Sequence, residues 1–114
     1  MTDTEITFGT HQPLTGPASA GYSKISPATK AYFDYVNANG GVYGRKITYK
    51  IVDDTYNPAT TQTVVRQLVQ QDKVFAIVGT LGTEPNIPIR PILNQRKVPQ
   101  IFVSTGASYW GLQY

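Results

Sequence analysis

The chain has 114 residues, 40% hydrophobic and 15% charged, which is room and composition for one ordinary globular domain with a single core. Its formal charge of +3 is spread thinly, the longest positive run being Arg45-Lys46, so it carries no nucleic-acid footprint. The absence of cysteine excludes disulfides, thiolate metal sites and a thiol nucleophile, while leaving the redox compartment open.

Met1 is followed by the polar Thr2-Asp3-Thr4-Glu5, not by the basic and apolar regions of a signal peptide. On this reading the chain is either cytoplasmic or a mature segment behind a new Met1. The longest apolar run, Val74–Val78, is far too short to span a bilayer. Glu5–Gln12 reads as a first strand, with Ile6 and Phe8 in strand spacing. Pro13, Gly16, Pro17 and Gly21 then break it into a loop.

A helical pattern follows to Ala38, predicted to bury Ala28, Ala31, Tyr32, Tyr35 and Val36 on one face, with Pro27 in an early turn. Asn39 and the glycines behind it predict a left-handed stop. Arg45–Asp54 alternates Ile47, Tyr49 and Ile51 with polar residues, as a strand toward a sheet edge does. Asn57-Pro58 is a helix start, since Asn caps free N–H groups and Pro at the first position loses nothing. The helix that follows is predicted to bury Val64, Val65, Leu68 and Val69.

The run Val74–Gly79 reads as a strand buried on both faces. Pro85, Pro88 and Pro91 delay regular helix to about Pro88, with Ile89, Ile92 and Leu93 inward. Val98–Ser104 is a fourth predicted strand, and "TGASYWGLQY" a loop leading out of the unit. Strand–helix alternation of this kind predicts an α/β fold, a parallel four-stranded sheet flanked by helices. Ligands in such sheets bind beyond the carboxyl ends of the strands, which here directs attention to the loops Pro13–Gly21, Asp53–Asn57, Gly79–Asn86 and Ser104–Tyr109.

Gly79-Thr80-Leu81-Gly82-Thr83 lacks the spacing and the Lys of a P-loop, and no dinucleotide fingerprint follows the first strand. What remains is a hydroxyl, Thr83, with free N–H groups, which fits either a small carboxylate or a plain helix cap. Ser104-Thr105-Gly106-Ala107-Ser108 repeats the arrangement one strand later. Asp53-Asp54 reads as a metal or catalytic pair or as carboxylates capping a loop. A receiver domain of two-component signalling shares the alternation but keeps its acids elsewhere. His11 is the sole histidine and no serine sits in a nucleophile elbow, so no hydrolytic triad is available and no enzyme is predicted. Tyr22, Tyr109 and Trp110 either wall a pocket or pack.

Taken together, "HQPLTGPASAG", "NANGGVYGRKITYKIVDDTYNPATTQTVVRQLV", "VFAIVGTLGT" and "VPQIFVSTGAS" resemble the branched-chain amino acid (Leu/Ile/Val) family of ABC-transporter solute-binding proteins, over nearly the whole chain. The resemblance implies a type I periplasmic-binding fold, with residues 1–114 as the N-terminal lobe cut before its fifth strand and the second lobe absent. It implies a periplasmic receptor that closes on an amino acid or related small carboxylate and delivers it to a membrane permease, without a cofactor or metal. By the same resemblance Thr83 meets the ligand carboxylate, with Leu81 and Gly82 beside it. Gly106 offers a carbonyl to the ammonium, Ser108 a hydroxyl to the carboxylate, and Tyr22 packs on the side chain. Some relatives carry a disulfide where this chain has Tyr56 and Gly82, and Gly82 in that place is expected to open space in the pocket. An aromatic or other organic acid is then as acceptable as a branched-chain one. The bared edge of the fourth strand is expected to drive homo-oligomerisation. A receiver-like cytoplasmic signalling domain, and the ligand-sensing lobe of a regulator or receptor, stand as the alternatives.

Overall fold

The computed structural model describes residues 1–111. Strands β1 (Glu5–Gln12), β2 (Lys46–Asp53), β3 (Ala76–Val78) and β4 (Gln100–Ile101) form one parallel sheet in the order β2-β1-β3-β4. Helices α1 (Ser19–Tyr22), α2 (Ile25–Ala38), α3 (Pro58–Gln70), α4 (Thr83–Asn86) and α5 (Arg90–Arg96) fill the crossovers, and a 3-10 turn covers Ser108–Trp110. The α/β fold expected from the alternation is the one observed, with β2 at an edge.

Each face of the sheet has its own core. On one, α3 and α5 bury Val65, Leu68, Val74, Ile77, Ile89 and Leu93 together. Gly9 lets Leu68 and Val74 approach the sheet there, since a Cβ on it would sit 3.1 Å from both side chains. On the other face Tyr49, Ala76 and Val78 pack with Phe8, Phe33 and Ile51. The Phe33 and Tyr49 rings meet edge to face at 5.1 Å. The Tyr49 hydroxyl donates to the Val78 carbonyl at 2.8 Å. Burial pushes the Tyr49 phenol above its ordinary value, against a smaller opposing effect of the Thr10 hydroxyl.

Local signals explain most boundaries. The Asn57 side chain accepts from the N–H groups of Ala59 and Thr60 with Pro58 behind it, so α3 starts where the sequence places it. Pro27 is the third residue of α2. Gly40 and Gly41 take the left-handed conformation after α2, whereas Asn39 does not (φ −100°) and instead donates from its side chain to the Tyr35 carbonyl.

Three expectations need correction. Helix α2 turns Ile25, Ser26, Thr29, Phe33 and Val36 inward, while Ala28, Ala31, Tyr32 and Tyr35 are exposed. The aromatic stacking of Phe33 on Phe8 and Tyr49 fixes that rotation of the helix. The fourth strand is two residues, not seven, because Phe102 adopts a left-handed backbone (φ 56°) and interrupts the ladder until Leu81 bridges Ser104. Regular helix in the third crossover starts at Arg90, after the separate single turn α4.

Candidate functional site

The loops after β3 and β4 meet beyond the carboxyl ends of those strands and enclose an open cleft of about 290 Å³. Ladder bonds continue past the strands: the Gly82 N–H donates to the Ser104 carbonyl at 3.0 Å, and the Ser104 N–H to the Thr80 carbonyl at 2.8 Å. This stitching brings the Thr83 and Thr105 hydroxyls to 2.7 Å from one another. One of the two must donate to the other, which leaves the second hydroxyl hydrogen to point elsewhere. Thr105 also receives the Ala107 N–H at 3.1 Å, which bends the loop around Gly106.

Of the residues singled out in the sequence, Tyr22, Leu81, Gly82, Thr83 and Gly106 all line this cleft, together with Tyr56, Ser104 and Thr105. Ser108 does not. It starts the 3-10 turn and lines a neighbouring hollow with Phe102 and Trp110. Thr105 was missed by sequence reasoning, although "STGAS" offered three hydroxyls and only the register could choose among them. Tyr109 and Trp110 pack against the Arg90 guanidinium, 5.9 and 5.0 Å from their ring centres, and wall no part of the cleft.

Gly82 is held at φ 119°, ψ 136°, a region open essentially to glycine alone. A Cβ there would stand 2.8 Å from Pro85 and 2.9 Å from the Tyr56 ring. The expectation that Gly82 opens space is therefore reversed, because Tyr56 and Pro85 occupy that space. Tyr56 reaches it from a tight turn in which Thr55 and Tyr56 are both left-handed (φ 53° and 57°). The Asp54 Oδ1 accepts the Tyr56 N–H at 2.9 Å and holds the second of them.

Asp53 serves the opposite loop. Its carboxylate accepts from the N–H groups of Leu14, Thr15 and Thr55 and from the Thr15 hydroxyl. Partial burial works to raise its pKa, but these hydrogen bonds outweigh that and hold it below the ordinary carboxylate value. Neither aspartate is free for metal or phosphoryl chemistry. Among the described residues there is no cluster of three His, Cys, Asp or Glu that would hold a metal ion. No helix among them is long and apolar enough to cross a membrane.

Next to the cleft lies a polar cluster, buried except for the half-buried Gln100, that sequence reasoning did not assemble. His11 Nδ1 is 2.7 Å from Asp54 Oδ2, and His11 Nε2 is 2.9 Å from Asn86 Oδ1. Gln100 donates to Asn86 Oδ1 at 2.7 Å and to the Thr80 hydroxyl at 3.0 Å. Asn86 in turn donates to the Gly82 carbonyl. His11, Asp54, Asn86 and Thr80 are all completely shielded from solvent.

A parallel α/β lobe whose strand-end loops present hydroxyls, glycine backbone and tyrosine rings in one cleft offers a small molecule both hydrogen-bonding groups and apolar walls. The periplasmic binding protein family matches residues 5–113, and the chain belongs to that family. It is similar to an amino acid binding protein of Pseudomonas aeruginosa, 34% identical over 92 residues, and to Leu/Ile/Val-binding protein homolog 3 of Brucella melitensis, 29% identical over 94. Those matches cover 80% and 82% of this chain but only 24% and 25% of the relatives, so the chain spans about a quarter of their length. Among solved structures, a possible leucine/isoleucine/valine-binding protein from Rhodopirellula baltica superposes with a TM-score of 0.86 at 32% identity, over 93% of this chain and 29% of that one. A substrate-binding periplasmic protein from Ralstonia solanacearum gives 0.89 at 25% identity, over 96% and 31%.

Proposed function

We propose that the chain is the N-terminal ligand-binding lobe of an extracytoplasmic solute-binding component of an ABC importer, and that it holds an amino acid or related small carboxylate without transforming it. The observation that carries this reading is the Thr83–Thr105 hydroxyl pair at 2.7 Å, in a cleft that Tyr22 and Tyr56 also line. A paired hydroxyl with one hydrogen to spare is a donor for a carboxylate oxygen. The Thr83 N–H adds a second donor. Helix α4 is a single turn, so its dipole is a minor contributor and the hydroxyls and amides carry the recognition. The Gly106 carbonyl is the acceptor for an ammonium, and Tyr22 is the apolar wall. We assign to Thr105 the carboxylate contact that resemblance gives to Ser108, because Ser108 faces the neighbouring hollow. Tyr56 filling the Gly82 side narrows the cleft and favours a flat or slender side chain.

The cleft is open along one side and lies at the lower end of ligand-pocket volumes, roughly 300–1,000 Å³, which normally bury most of their ligand. A single lobe therefore binds weakly, and a second lobe in a longer parent completes the site and presents it to a permease. Isothermal calorimetry of the 114-residue chain with L-leucine tests this: no micromolar isotherm is expected, and micromolar affinity contradicts the half-site reading. Among the described residues β4 is the outer strand of the sheet, and its exposed Ile101 with the neighbouring Phe102 supports self-association of the chain through that strand.

A further inference from the structure

The buried cluster fixes its own hydrogens. The Gly82 carbonyl can only accept, so the Asn86 group facing it is the NH₂, and Asn86 Oδ1 is turned toward His11 Nε2. That oxygen also receives Gln100, so two donors converge on it and Nε2 must carry a hydrogen. At the other ring nitrogen, Nδ1 stands 2.7 Å from Asp54 Oδ2 with neither group reached by solvent. A bare Nδ1 there would set two lone pairs against each other. Asp54 meanwhile sits as an acceptor, with the Tyr56 N–H on Oδ1 and the Thr61 hydroxyl, whose single hydrogen is shared with the Asn57 carbonyl at 2.9 Å, standing 3.0 Å from Oδ2. With Asp54 placed as an acceptor toward these partners, the geometry assigns the hydrogen between Oδ2 and Nδ1 to the ring.

We propose that His11 is a buried imidazolium, paired with Asp54, and that this pair is the positioning device of the cleft. Asp54 is the one ionisable group among the described residues bonded to the ring. Through Asp54 the pair holds the Tyr56 turn, and through Asn86 it holds the Gly82 carbonyl, the two sides of the contact that walls the cleft. One ring on β1 thereby ties together the loops after β2 and β3. The functional consequence rests on the solute-binding reading above, but the state of the ring does not.

The chain's single histidine makes the test direct. Long-range ¹H–¹⁵N spectra of the labelled protein at neutral pH should show hydrogen on both ring nitrogens. Asp54→Asn is near-isosteric: its carbonyl can accept the Tyr56 N–H while its NH₂ donates to Nδ1. In that variant Nδ1 should lose its hydrogen while Nε2 keeps it, and the amide signals of Tyr56, Gly82 and Thr83 should shift. Asp34→Asn, in the exposed Lys30–Asp34 pair on α2, should leave the ring signals unchanged. A bare ring nitrogen in the native protein overturns the proposal, as does an unchanged Nδ1 in a folded Asp54→Asn variant. Should that variant not fold, the native spectrum decides alone. No ligand enters the experiment, so failure of the solute-binding reading leaves it intact, and the reverse also holds.

Discussion

Gly82→Ala probes the tightest point of the cleft. The backbone at φ 119° is strained for any L residue, at about 1–3 kcal/mol. The new methyl would also press on Pro85 at 2.8 Å and on the Tyr56 ring at 2.9 Å, and forcing a methyl into a packed site costs about 1–3 kcal/mol more. The sum, about 2–6 kcal/mol, is a large share of the roughly 5–15 kcal/mol that holds a domain folded. Urea denaturation followed by circular dichroism measures it. Gly21→Ala is the control: nothing lies within 4 Å of its Cβ position and Gly21 sits in α1, so no loss is expected, only a gain of up to about 1 kcal/mol. In a Tyr56→Ala background the ring contact is gone but the backbone strain and Pro85 remain, so Gly82→Ala should cost less without becoming neutral. A Gly82→Ala protein as stable as the parent refutes the reasoning. An undiminished cost in the Tyr56→Ala background refutes the Tyr56–Gly82 contact specifically.

Other outcomes follow from single contacts. Tyr49→Phe removes the hydrogen bond to the Val78 carbonyl and should lower stability by about 0.5–1.5 kcal/mol in the same denaturation assay. Because the folded Tyr49 pKa lies above its unfolded value of 10.0, its contribution is whole below that pH and fades as pH rises through the folded value; Tyr49→Phe should flatten that part of the alkaline stability profile. The depressed Asp53 pKa has the opposite sign: its stabilisation is present above the ordinary value of 3.8 and lost as pH falls through the folded one. The Leu14, Thr15 and Thr55 amide shifts should therefore titrate together with a midpoint below 3.8, and Asp53→Ala should abolish that transition. Light scattering at high concentration should show species larger than a monomer, and a strictly monomeric profile contradicts pairing through the Ile101–Phe102 edge.

Much of the fold was legible because its signals are local. Asn57-Pro58 carries its cap within four residues, and the short apolar run around Ile77 reads as a strand buried on both faces. The inward face of α2 was not legible: Tyr32 and Tyr35 count as apolar in any periodicity, whereas the sheet below selects Phe33 through Phe8 and Tyr49. Thr83 and Gly106 could be placed at the site because a parallel sheet opens at its strand ends. Thr105 rather than Ser108 depended on the Leu81–Ser104 register, and the left-handed Phe102 that sets the end of β4 has no sequence signal. Asp54 and Asn86 lie 43 and 75 residues from His11, and no local pattern links them. The Tyr56–Gly82 contact likewise exists only once the loops after β2 and β3 are side by side.

The central claim is that the cleft between Leu81–Thr83 and Ser104–Gly106 holds a carboxylate-bearing solute as half of a binding site. Titrating L-leucine into the ¹⁵N-labelled chain tests it residue by residue. The account predicts non-saturating shifts up to millimolar ligand, confined to Tyr22, Tyr56, residues 81–83 and residues 104–106, and lost in Thr83→Ala. Shifts centred elsewhere, no shift at the cleft, or saturation at micromolar ligand would contradict it.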